Sequence, residues 1–208
     1  MENNFRDMSK KDQVKEKIGQ VAMKCFARFG LEKTTLDDIA REVGLNKASL
    51  YYYYKNKEDI FLEVAIAEGK NYLSSLQEKV LKKKGTEARV DFYLVERINY
   101  YKNVLNMNRV SAETVNRMLP KFFELFDAIL VKEVEFLEKI ISEGVKEGEL
   151  SAVNPKKLAT SLIGVNDALK HHAEHKAMLK KQDEIDYSEI IREMKLLVSL
   201  VFKGLTKK

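Results

Sequence analysis

Residues that interrupt helices are scarce in this chain. Its 208 residues include only 9 glycines and 2 prolines, and both prolines, Pro120 and Pro155, lie in the second half. Proline removes a backbone donor and glycine costs backbone entropy, so a sequence poor in both and rich in Leu, Lys and Glu favours long helices. The composition therefore predicts an all-α protein that is large enough to bury a good core in one or two domains.

Cysteine and long apolar runs are almost absent too. Cys25 is the only cysteine, so no internal disulfide is possible, and its place on the apolar side of the first predicted helix favours a core position in a reducing compartment. No run of about 18 apolar residues occurs, and the polar N-terminal segment lacks the apolar centre of a signal peptide. We therefore expect a cytoplasmic protein with no membrane partner.

Motifs of catalysis are also absent. The sequence contains no glycine-rich phosphate loop, no Cys-x-x-Cys pair and no serine in the turn of a nucleophile elbow. Its aspartates and glutamates are scattered over the surfaces of predicted helices. We therefore expect that the protein is not an enzyme and binds no cofactor.

The most informative segment is residues 35–57, TLDDIAREVGLNKASLYYYYKNK, which indicates two short helices joined by a tight turn. Thr35 can accept a hydrogen bond from the amide of Asp38, whose side chain resembles the partner of a capping box. Gly44 supplies the left-handed residue that ends the first helix, and Asn46 caps the second. A helix, a glycine-containing turn and a second helix form a common DNA-reading unit.

The second of these helices, predicted over roughly residues 47–54, has two contrasting faces. At about 100° per residue, Leu50, Tyr53 and Tyr54 fall on one side and face their own domain. The rest of its surface is small, polar or aromatic and carries Ala48, Ser49, Tyr51 and Tyr52. A short helix that begins with small residues can enter the major groove, where base edges carry a distinguishable code.

This segment resembles the DNA-binding head of the tetracycline-repressor (TetR) family of bacterial regulators. The matching residues are, in chain order, Phe29-Gly30, Thr34-Thr35, Asp38-Ile39-Ala40, Val43-Gly44, Lys47-Ala48-Ser49-Leu50-Tyr51, Tyr53-Tyr54 and Lys55-Asn56-Lys57-Glu58. They keep their order at fixed spacing over about the first quarter of the chain, and the rest is similar to the family in size and helical layout. The resemblance favours DNA binding over a helical hairpin that only packs.

The resemblance implies a ligand-responsive regulator of transcription that works as a homodimer. Two heads contact half-sites of a palindromic double-stranded DNA operator and repress transcription. A small-molecule effector then enters the larger helical domain and tilts a connecting helix. The heads separate beyond the spacing of successive major grooves, about 34–36 Å, and release the DNA.

The resemblance also implies which residues contact DNA. Phosphate contacts are expected from Thr35, Tyr52 and Lys57, and contacts near bases from Lys47, Ala48, Ser49 and Tyr51. Asp37 departs from the family pattern, because it puts an acid where some members carry a basic DNA contact.

The distribution of charge supports a DNA-binding head. The net charge is +5, and residues 1–57 hold 12 Lys and Arg against 8 Asp and Glu, whereas the other 151 residues hold 25 against 24. The excess of positive charge therefore lies with the predicted helix-turn-helix, as phosphate binding needs.

Helical periodicity divides the whole chain into three parts. Residues 1–56 are predicted to form a short flexible arm, residues 1–8, followed by a three-helix head. Residues 57–84 are predicted to form one long connecting helix. Residues 85–208 are predicted to form an effector-binding and dimerisation domain, with one of its helices interrupted at Pro120. About nine helices are expected in all.

Two groups of residues in the C-terminal part are candidates for function. The candidates for an effector pocket, which could equally be plain core, are Tyr93, Tyr100, Met107, Phe122, Phe126 and Asn166, with Asn99 and Phe123 beside them. Wide apolar stripes on the last two helices predict a four-helix dimer interface formed by Leu158, Leu162, Val165, Leu169, Ile190, Met194, Leu197 and Val201. The alternative is that both stripes face the chain's own core.

Two alternatives belong to other functional classes. His171 and His175 lie four residues apart on one helix and could chelate a metal, although a partly exposed, polar helix end is the favoured interpretation. A metal-sensing or metal-carrying helical protein is therefore one alternative, and metal analysis of the purified protein would test it. The other is a helical enzyme with a vestigial head, which detectable turnover without operator binding would favour.

Overall fold

The computed structural model describes residues 9–182 and 184–206 of the chain. Eight α-helices occupy these residues: α1 (Lys10–Phe29), α2 (Leu36–Val43), α3 (Lys47–Tyr53), α4 (Lys57–Leu81), α5 (Thr86–Met107), α6 (Ala112–Lys146), α7 (Pro155–Leu179) and α8 (Ser188–Leu205). One isolated antiparallel bridge, between Leu150 and Thr206, is the only β feature of this part of the chain. The all-α prediction is confirmed, and the predicted arm, residues 1–8, lies outside the described residues.

Pro120 accounts for the difference between the expected nine helices and the eight described ones. We expected this proline to split a helix, but α6 runs unbroken from Ala112 to Lys146 with Pro120 inside it. Proline removes one i to i−4 hydrogen bond and kinks a helix. Met118 before the proline and Ile129 after it are both buried, so tertiary packing stabilises the helix on either side of Pro120. The predicted interruption was therefore wrong.

Polar residues cap the starts of several helices, as predicted for Thr35 and Asn46. Side-chain caps stand before α1, α2, α3 and α7, and they are Ser9, Thr35, Asn46 and Asn154. Thr35 and Asp38 complete a capping box, and Gly44, at φ +81°, ends α2 in the left-handed conformation. A cap of this kind contributes about 1 kcal/mol, so the helix-turn-helix is largely specified by its own local sequence.

The described chain forms two compact units. The head unit comprises the described residues up to Glu68 together with 107–110, and the C-terminal unit comprises 69–106 and the residues from Ser111 onward. Helix α4 is therefore shared between the units, and the loop between α5 and α6 belongs to the head unit. This arrangement differs from the division at residues 56 and 84 that periodicity predicts.

Large apolar side chains from α1 to α4 form the core of the head unit. The fully or nearly fully buried ones include Ile18, Phe26, Ile39, Leu50, Ile60 and Phe61. The rings of Phe26 and Phe61 meet edge to face at 6.1 Å between centroids. Cys25 is buried too, as predicted.

The loop between α5 and α6 is held in the head unit by its backbone. The amide of Leu31 donates to the carbonyl oxygen of Asn108 at 2.9 Å. Gly30 stands at φ +88°, and a Cβ atom there would lie 3.3 Å from Cβ of Arg109. The turn after α1 therefore needs glycine both for its dihedral angle and for the close approach of the loop.

The C-terminal unit is built from the second part of α4 and from α5 to α8. Its buried apolar residues include Leu76, Leu94, Ile98, Leu137, Ile140, Ile163, Met194 and Phe202. No helix in the described residues is long and apolar enough to cross a membrane.

Candidate nucleic-acid interface and effector site

Helix α3 presents an exposed surface at its start and along one side. Leu50 is fully buried, whereas Tyr51 and Tyr52 are 46% and 72% exposed. Lys47 and Ala48 are exposed in the first turn, beside the half-buried Ser49. The structure therefore brings the predicted DNA-contacting residues of α3 together on one accessible surface.

Tyr54, the residue after α3, anchors this helix in the head unit. Its hydroxyl donates to Oε1 of Glu63 at 3.0 Å, and Nζ of Lys15 lies 4.9 Å from its ring centroid while pairing with Glu63 at 2.9 Å. Burial, and then the charge of Glu63, raises the pKa of Tyr54, so the phenol stays a neutral donor. The inner end of α3 is thereby fixed, which orients its exposed side.

Lys47 and Asp37 form an exposed ion pair at 2.9 Å. The hydrogen bond and the charge of Asp37 raise the pKa of Lys47. The acid that departs from the family pattern is thus the partner of a residue expected to approach DNA. A phosphate or base at Lys47 must compete with this carboxylate.

Lys57, at the start of α4, is tied to the turn before α2. Its Nζ donates to the carbonyl oxygens of Glu32 at 2.7 Å and Thr34 at 2.9 Å. An ammonium group has three donors, so one remains for a phosphate. Thr35, which follows in the same turn, is exposed and holds its capping box.

An open groove of about 640 Å³ on the α1 and α2 side of the head unit was not predicted. Its lining includes five cationic side chains and two acidic ones: Lys24, Arg28, Lys33, Arg41, Arg109, Asp38 and Glu42. The positive excess here adds to the field that attracts a polyanion such as DNA.

A buried ionic network joins α5, α6 and α7 in the C-terminal unit. Arg97 donates through Nε and Nη2 to Glu133 at 2.6 and 3.1 Å, and through Nη1 and Nη2 to Asp167 at 2.6 and 3.3 Å. Its Nη1 also donates to Oδ1 of Asn166 at 2.8 Å. Lys170 adds a second cation, with Nζ 2.7 Å from Asp167. Two carboxylates therefore balance two buried cations.

The two cations decide the charge state of Asp167. Burial opposes its ionisation, but Lys170 and Arg97 outweigh burial and hold the pKa of Asp167 well below its usual range. Burial, followed by repulsion from Arg97, lowers the pKa of Lys170. Removing one member would leave an uncompensated buried charge, so the network depends on all of its members.

A cavity of about 60 Å³, here called the aromatic cavity, adjoins this network. It is lined by Tyr101, Phe122, Phe123, Phe126, Asp127, Leu130, Asp167, Lys170 and His171. The rings of Phe122 and Phe126 stack at 4.8 Å, and Nζ of Lys170 lies 4.6 Å from the ring centroid of Tyr101. One part of the wall is thus aromatic and another part is charged.

A second cavity, of about 210 Å³, is here called the histidine cavity. It is lined by Ala112, Asn116, Leu119, His171, Glu174, His175 and Met178. The buried carboxylate of Glu174 accepts from the hydroxyl of Tyr187 at 3.3 Å and lies 2.8 Å from Nδ1 of His171. His171 lines both cavities and so links them.

The predicted pocket residues separate into three groups. Phe122 and Phe126 line the aromatic cavity, as does Phe123. Tyr93 and Asn166 are fully buried in the ionic network, where the hydroxyl of Tyr93 donates to Glu133 at 2.9 Å. They therefore belong to the ionic network and line neither cavity.

The remaining candidates lie elsewhere. Tyr100 stacks on Tyr72 at 4.1 Å, and Asn99 donates to Glu96. Met107 is 61% exposed and belongs to the head unit, because α5 ends there and the following loop folds into the head. The prediction that Met107 lines the effector pocket is therefore not met by either cavity.

The charged residues of the ionic network and of the histidine cavity are not among the predicted pocket residues; they are Arg97, Glu133, Asp167, Lys170 and Glu174. One signal was present, because Arg97 interrupts an otherwise apolar stripe of α5 between Leu94 and Ile98. A charged residue at a core position needs buried partners. Those partners lie 36 and 70 residues further along the chain, so periodicity could not identify them.

The predicted dimer residues also divide. Leu162, Ile190 and Met194 are buried within the chain itself, so these three cannot form a surface for a partner. Val165 and Leu197 are exposed, and Leu158, Leu169 and Val201 are half-buried. Periodicity showed that α7 and α8 are apolar on more than one side, but it could not show which side faces inward.

The histidine pair gives no support to the metal alternative. Nδ1 of His171 is engaged by Glu174, and no group of three or more His, Cys, Asp or Glu side chains within the described residues is arranged to hold a metal ion.

The head unit also matches a known sequence family. Residues 18–64, from α1 into α4, match the family described as bacterial regulatory proteins, tetR family. These residues contain all of α2 and α3, with the caps and the exposed surface described above.

Individual proteins extend the similarity. The chain is 23% identical to the HTH-type transcriptional regulator YfiR of Bacillus subtilis, itself uncharacterized, over 93% of this chain and 94% of YfiR. It is 50% identical to the negative transcriptional regulator IcaR of the Staphylococcus epidermidis biofilm operon icaADBC, but only over 48 residues, 23% of this chain and 26% of IcaR.

A solved structure agrees over almost the full length. A transcriptional regulator from Cytophaga hutchinsonii superposes with a TM-score of 0.72 at 27% identity, covering 92% of this chain and 98% of that one. The chain is therefore a DNA-binding regulator of transcription, and its residues 18–64 form a domain of the kind found in the tetR family of bacterial regulatory proteins.

Proposed function

We propose that this regulator represses transcription as a homodimer on a palindromic operator and leaves the operator when a small molecule binds its C-terminal unit. The observation that carries the proposal is the exposed surface of α3, whose inner side is anchored by Leu50 and Tyr54. A short helix fixed in this way can be held in a major groove by backbone contacts on either side.

Binding titrations at several salt concentrations test the DNA-binding part. An operator is first selected from random duplexes, and wild-type binding to it is compared with binding to an unselected duplex. Lys57→Ala should weaken both interactions about equally and lower the slope of log K against log salt by about 1, because one phosphate contact is lost.

Lys79→Ala is the matched control, since Lys79 is exposed in the last turn of the same helix and lies in the C-terminal unit. An unchanged slope for Lys57→Ala would contradict the assignment of a phosphate contact to Lys57. Failure to select any duplex bound more tightly than random DNA would overturn operator recognition.

An exposed apolar surface on α7 and α8 supports a second copy of the chain as partner. Leu196 and Leu200 on α8 are 59% and 56% exposed, and Leu197 and Val165 are exposed too. A Cβ atom added at Gly164 on α7 would meet no atom of another helix within 4 Å, so this surface of α7 is open. Small and apolar residues at helical spacing suit two helices from each chain packed around a twofold axis.

Light scattering tests the dimer. The wild type should have the mass of two chains at micromolar concentration, and the double variant Leu196→Glu/Leu200→Glu should be a folded monomer with weak operator binding. Leu179→Glu alters a similarly exposed leucine at the end of α7 and should remain dimeric. A wild-type mass of one chain would overturn the dimer.

Chain connectivity supports coupling of ligand to DNA. Helix α6 lines both cavities, and the loop immediately before it, residues 107–110, belongs to the head unit. Helix α4 is shared as well. A ligand that binds more tightly to one position of α6 can therefore shift the conformational equilibrium of the head through these two segments. The size of the shift is set by the difference in the ligand's affinity for the two conformations.

A further inference from the structure

We propose that the effector is an organic ammonium ion that occupies the histidine cavity and places its positive charge against Glu174. The inference rests on the proposed function for its regulatory meaning, but the binding site itself is argued from the cavity wall.

The wall of the histidine cavity carries one acidic side chain and no strong base. Among the described residues that line it, Glu174 is the only carboxylate, and none is lysine or arginine. Ala112, Leu119 and Met178 supply apolar surface. A guest of about neutral or positive charge with an apolar body fits this composition.

Glu174 is buried, and two of its partners are neutral. Tyr187 donates to it at 3.3 Å, and Tyr101 also hydrogen bonds to it. Burial, and then the charge of Glu174, raises the pKa of both phenols, so both stay neutral donors, and a phenol has no positively charged form that could balance the carboxylate. His171 is the remaining partner and compensates the carboxylate only when protonated. A cation in the cavity would supply the missing charge when His171 is neutral.

Two residues of the wall, His171 and Asn116, also carry hydrogen-bond acceptors. Neutral His171 that donates from Nδ1 to Glu174 keeps Nε2 as an acceptor. Pro120 has no N–H, so the carbonyl oxygen of Asn116 cannot receive the usual helical hydrogen bond from four residues ahead. An ammonium group offers N–H donors to such acceptors, whereas a carboxylate offers none.

The aromatic cavity is a weaker candidate for the charged group. Its cation, Lys170, is already paired with Asp167, and its volume is about 60 Å³. The histidine cavity, at about 210 Å³, exceeds the roughly 150 Å³ of an engineered apolar cavity that binds benzene. A molecule with one six-membered ring and a short ammonium arm is therefore of suitable size.

Three probes with the same ring and different charge test the inference: benzylammonium, benzyl alcohol and benzoate. Each is titrated calorimetrically into the purified full chain without DNA. Benzylammonium should bind roughly tenfold to a hundredfold more tightly than benzyl alcohol, as expected for one charge-assisted hydrogen bond, and benzoate should bind most weakly. Equal affinities, tighter binding of benzoate, or no binding of benzylammonium would overturn the inference.

Two variants locate the site. Glu174→Gln keeps the shape and removes the charge, so it should abolish the preference for benzylammonium over benzyl alcohol. Asp127→Asn removes an exposed carboxylate that lines only the aromatic cavity, and it should leave the preference intact. A preference that survives Glu174→Gln would overturn the assignment.

A third variant covers the case in which Glu174→Gln does not fold. Leu119→Trp fills the histidine cavity from the half-exposed side of α6 while leaving Glu174 in place. It should lose all three probes, and retained binding would place them elsewhere and overturn the inference.

A final measurement separates this inference from the proposed function. If benzylammonium binds through Glu174 but leaves operator affinity unchanged, the binding site is supported and control by this ligand is contradicted. If another compound releases the operator and benzylammonium does not bind, ligand control is supported and the ammonium inference is overturned.

Discussion

The two units of this regulator differ in the solvent exposure of their functional polar side chains. In the head unit, Lys47, Tyr51 and Tyr52 are exposed at or near the start of a capped helix. In the C-terminal unit, Arg97 and Glu133 are almost completely buried and paired at 2.6 Å. A surface that meets a polyanion works best with solvated groups, whereas a ligand site needs groups held in fixed positions.

This difference determines what a change of charge should do in each unit. An exposed ion pair contributes about 0–1 kcal/mol to stability, because water already solvates both partners. A buried pair leaves a desolvated charge when one partner is removed. Charge substitutions should therefore alter DNA binding in the head unit and folding in the C-terminal unit.

The largest effect is expected from Asp167→Asn. This substitution leaves Arg97 and Lys170 with one carboxylate fewer and should lower the free energy of unfolding by about 3–5 kcal/mol. Urea denaturation followed by circular dichroism measures the loss. Asp127→Asn, which removes an exposed carboxylate, should change stability little, and equal effects of the two variants would contradict the distinction between buried and exposed charge.

Asp167 should also shape the response to acid. Its pKa is lowered in the folded state, so the stability it contributes is present above its unfolded pKa of about 3.9 and is lost as the pH falls toward the lower folded value. The free energy of unfolding is measured from neutral pH down to the lowest pH at which the protein folds. Below pH 4 it should fall more steeply with decreasing pH for the wild type than for Asp167→Asn. Parallel curves would show that another carboxyl group dominates.

Gly30→Ala should destabilise the head unit by about 1–3 kcal/mol. Gly30 stands at φ +88° and ψ 150°, a region that side chains avoid, and the added Cβ would press on Arg109. Thermal melting of the full chain measures the effect. Gly204→Ala in α8, where a Cβ atom meets open space, should be neutral or stabilising.

Tyr51→Ala should weaken operator binding by roughly 1–3 kcal/mol if Tyr51 touches a base edge, and it should affect nonspecific binding much less. Because Tyr51 is exposed, the melting temperature of the Tyr51→Ala variant should stay close to that of the wild type. Competition titrations with selected and unselected duplexes measure the difference. A markedly lower melting temperature would instead identify Tyr51 as part of the core.

The smallest expected effect is a gain. Asp37→Asn removes the partner of Lys47 and a negative charge next to the DNA-binding surface, so binding should tighten by a few fold, or less than about 1 kcal/mol. The gain should shrink as salt is raised. Unchanged affinity at low salt would show that Lys47 and Asp37 both lie away from bound DNA.

Local interactions explain why the head could be predicted. The caps at Thr35 and Asn46 and the left-handed Gly44 act within three or four residues of sequence, and all three occur as expected. The C-terminal site depends on pairs such as Arg97 with Asp167, which only the packing of three long helices brings together. The continuity of α6 through Pro120 is likewise a result of packing, since local preference favours a break.

By itself, therefore, the sequence determined the helical class, the helix-turn-helix with its caps, and the exposed residues of α3, because each follows from short-range hydrogen bonds and periodicity. Only the tertiary structure decided which face of α8 points inward, that Met107 lies in the head unit, and that Glu174 sits at a cavity between α6 and α7. These features depend on contacts between residues far apart in the chain, and the free energy of burying apolar side chains selects among helix faces that local pattern leaves equivalent.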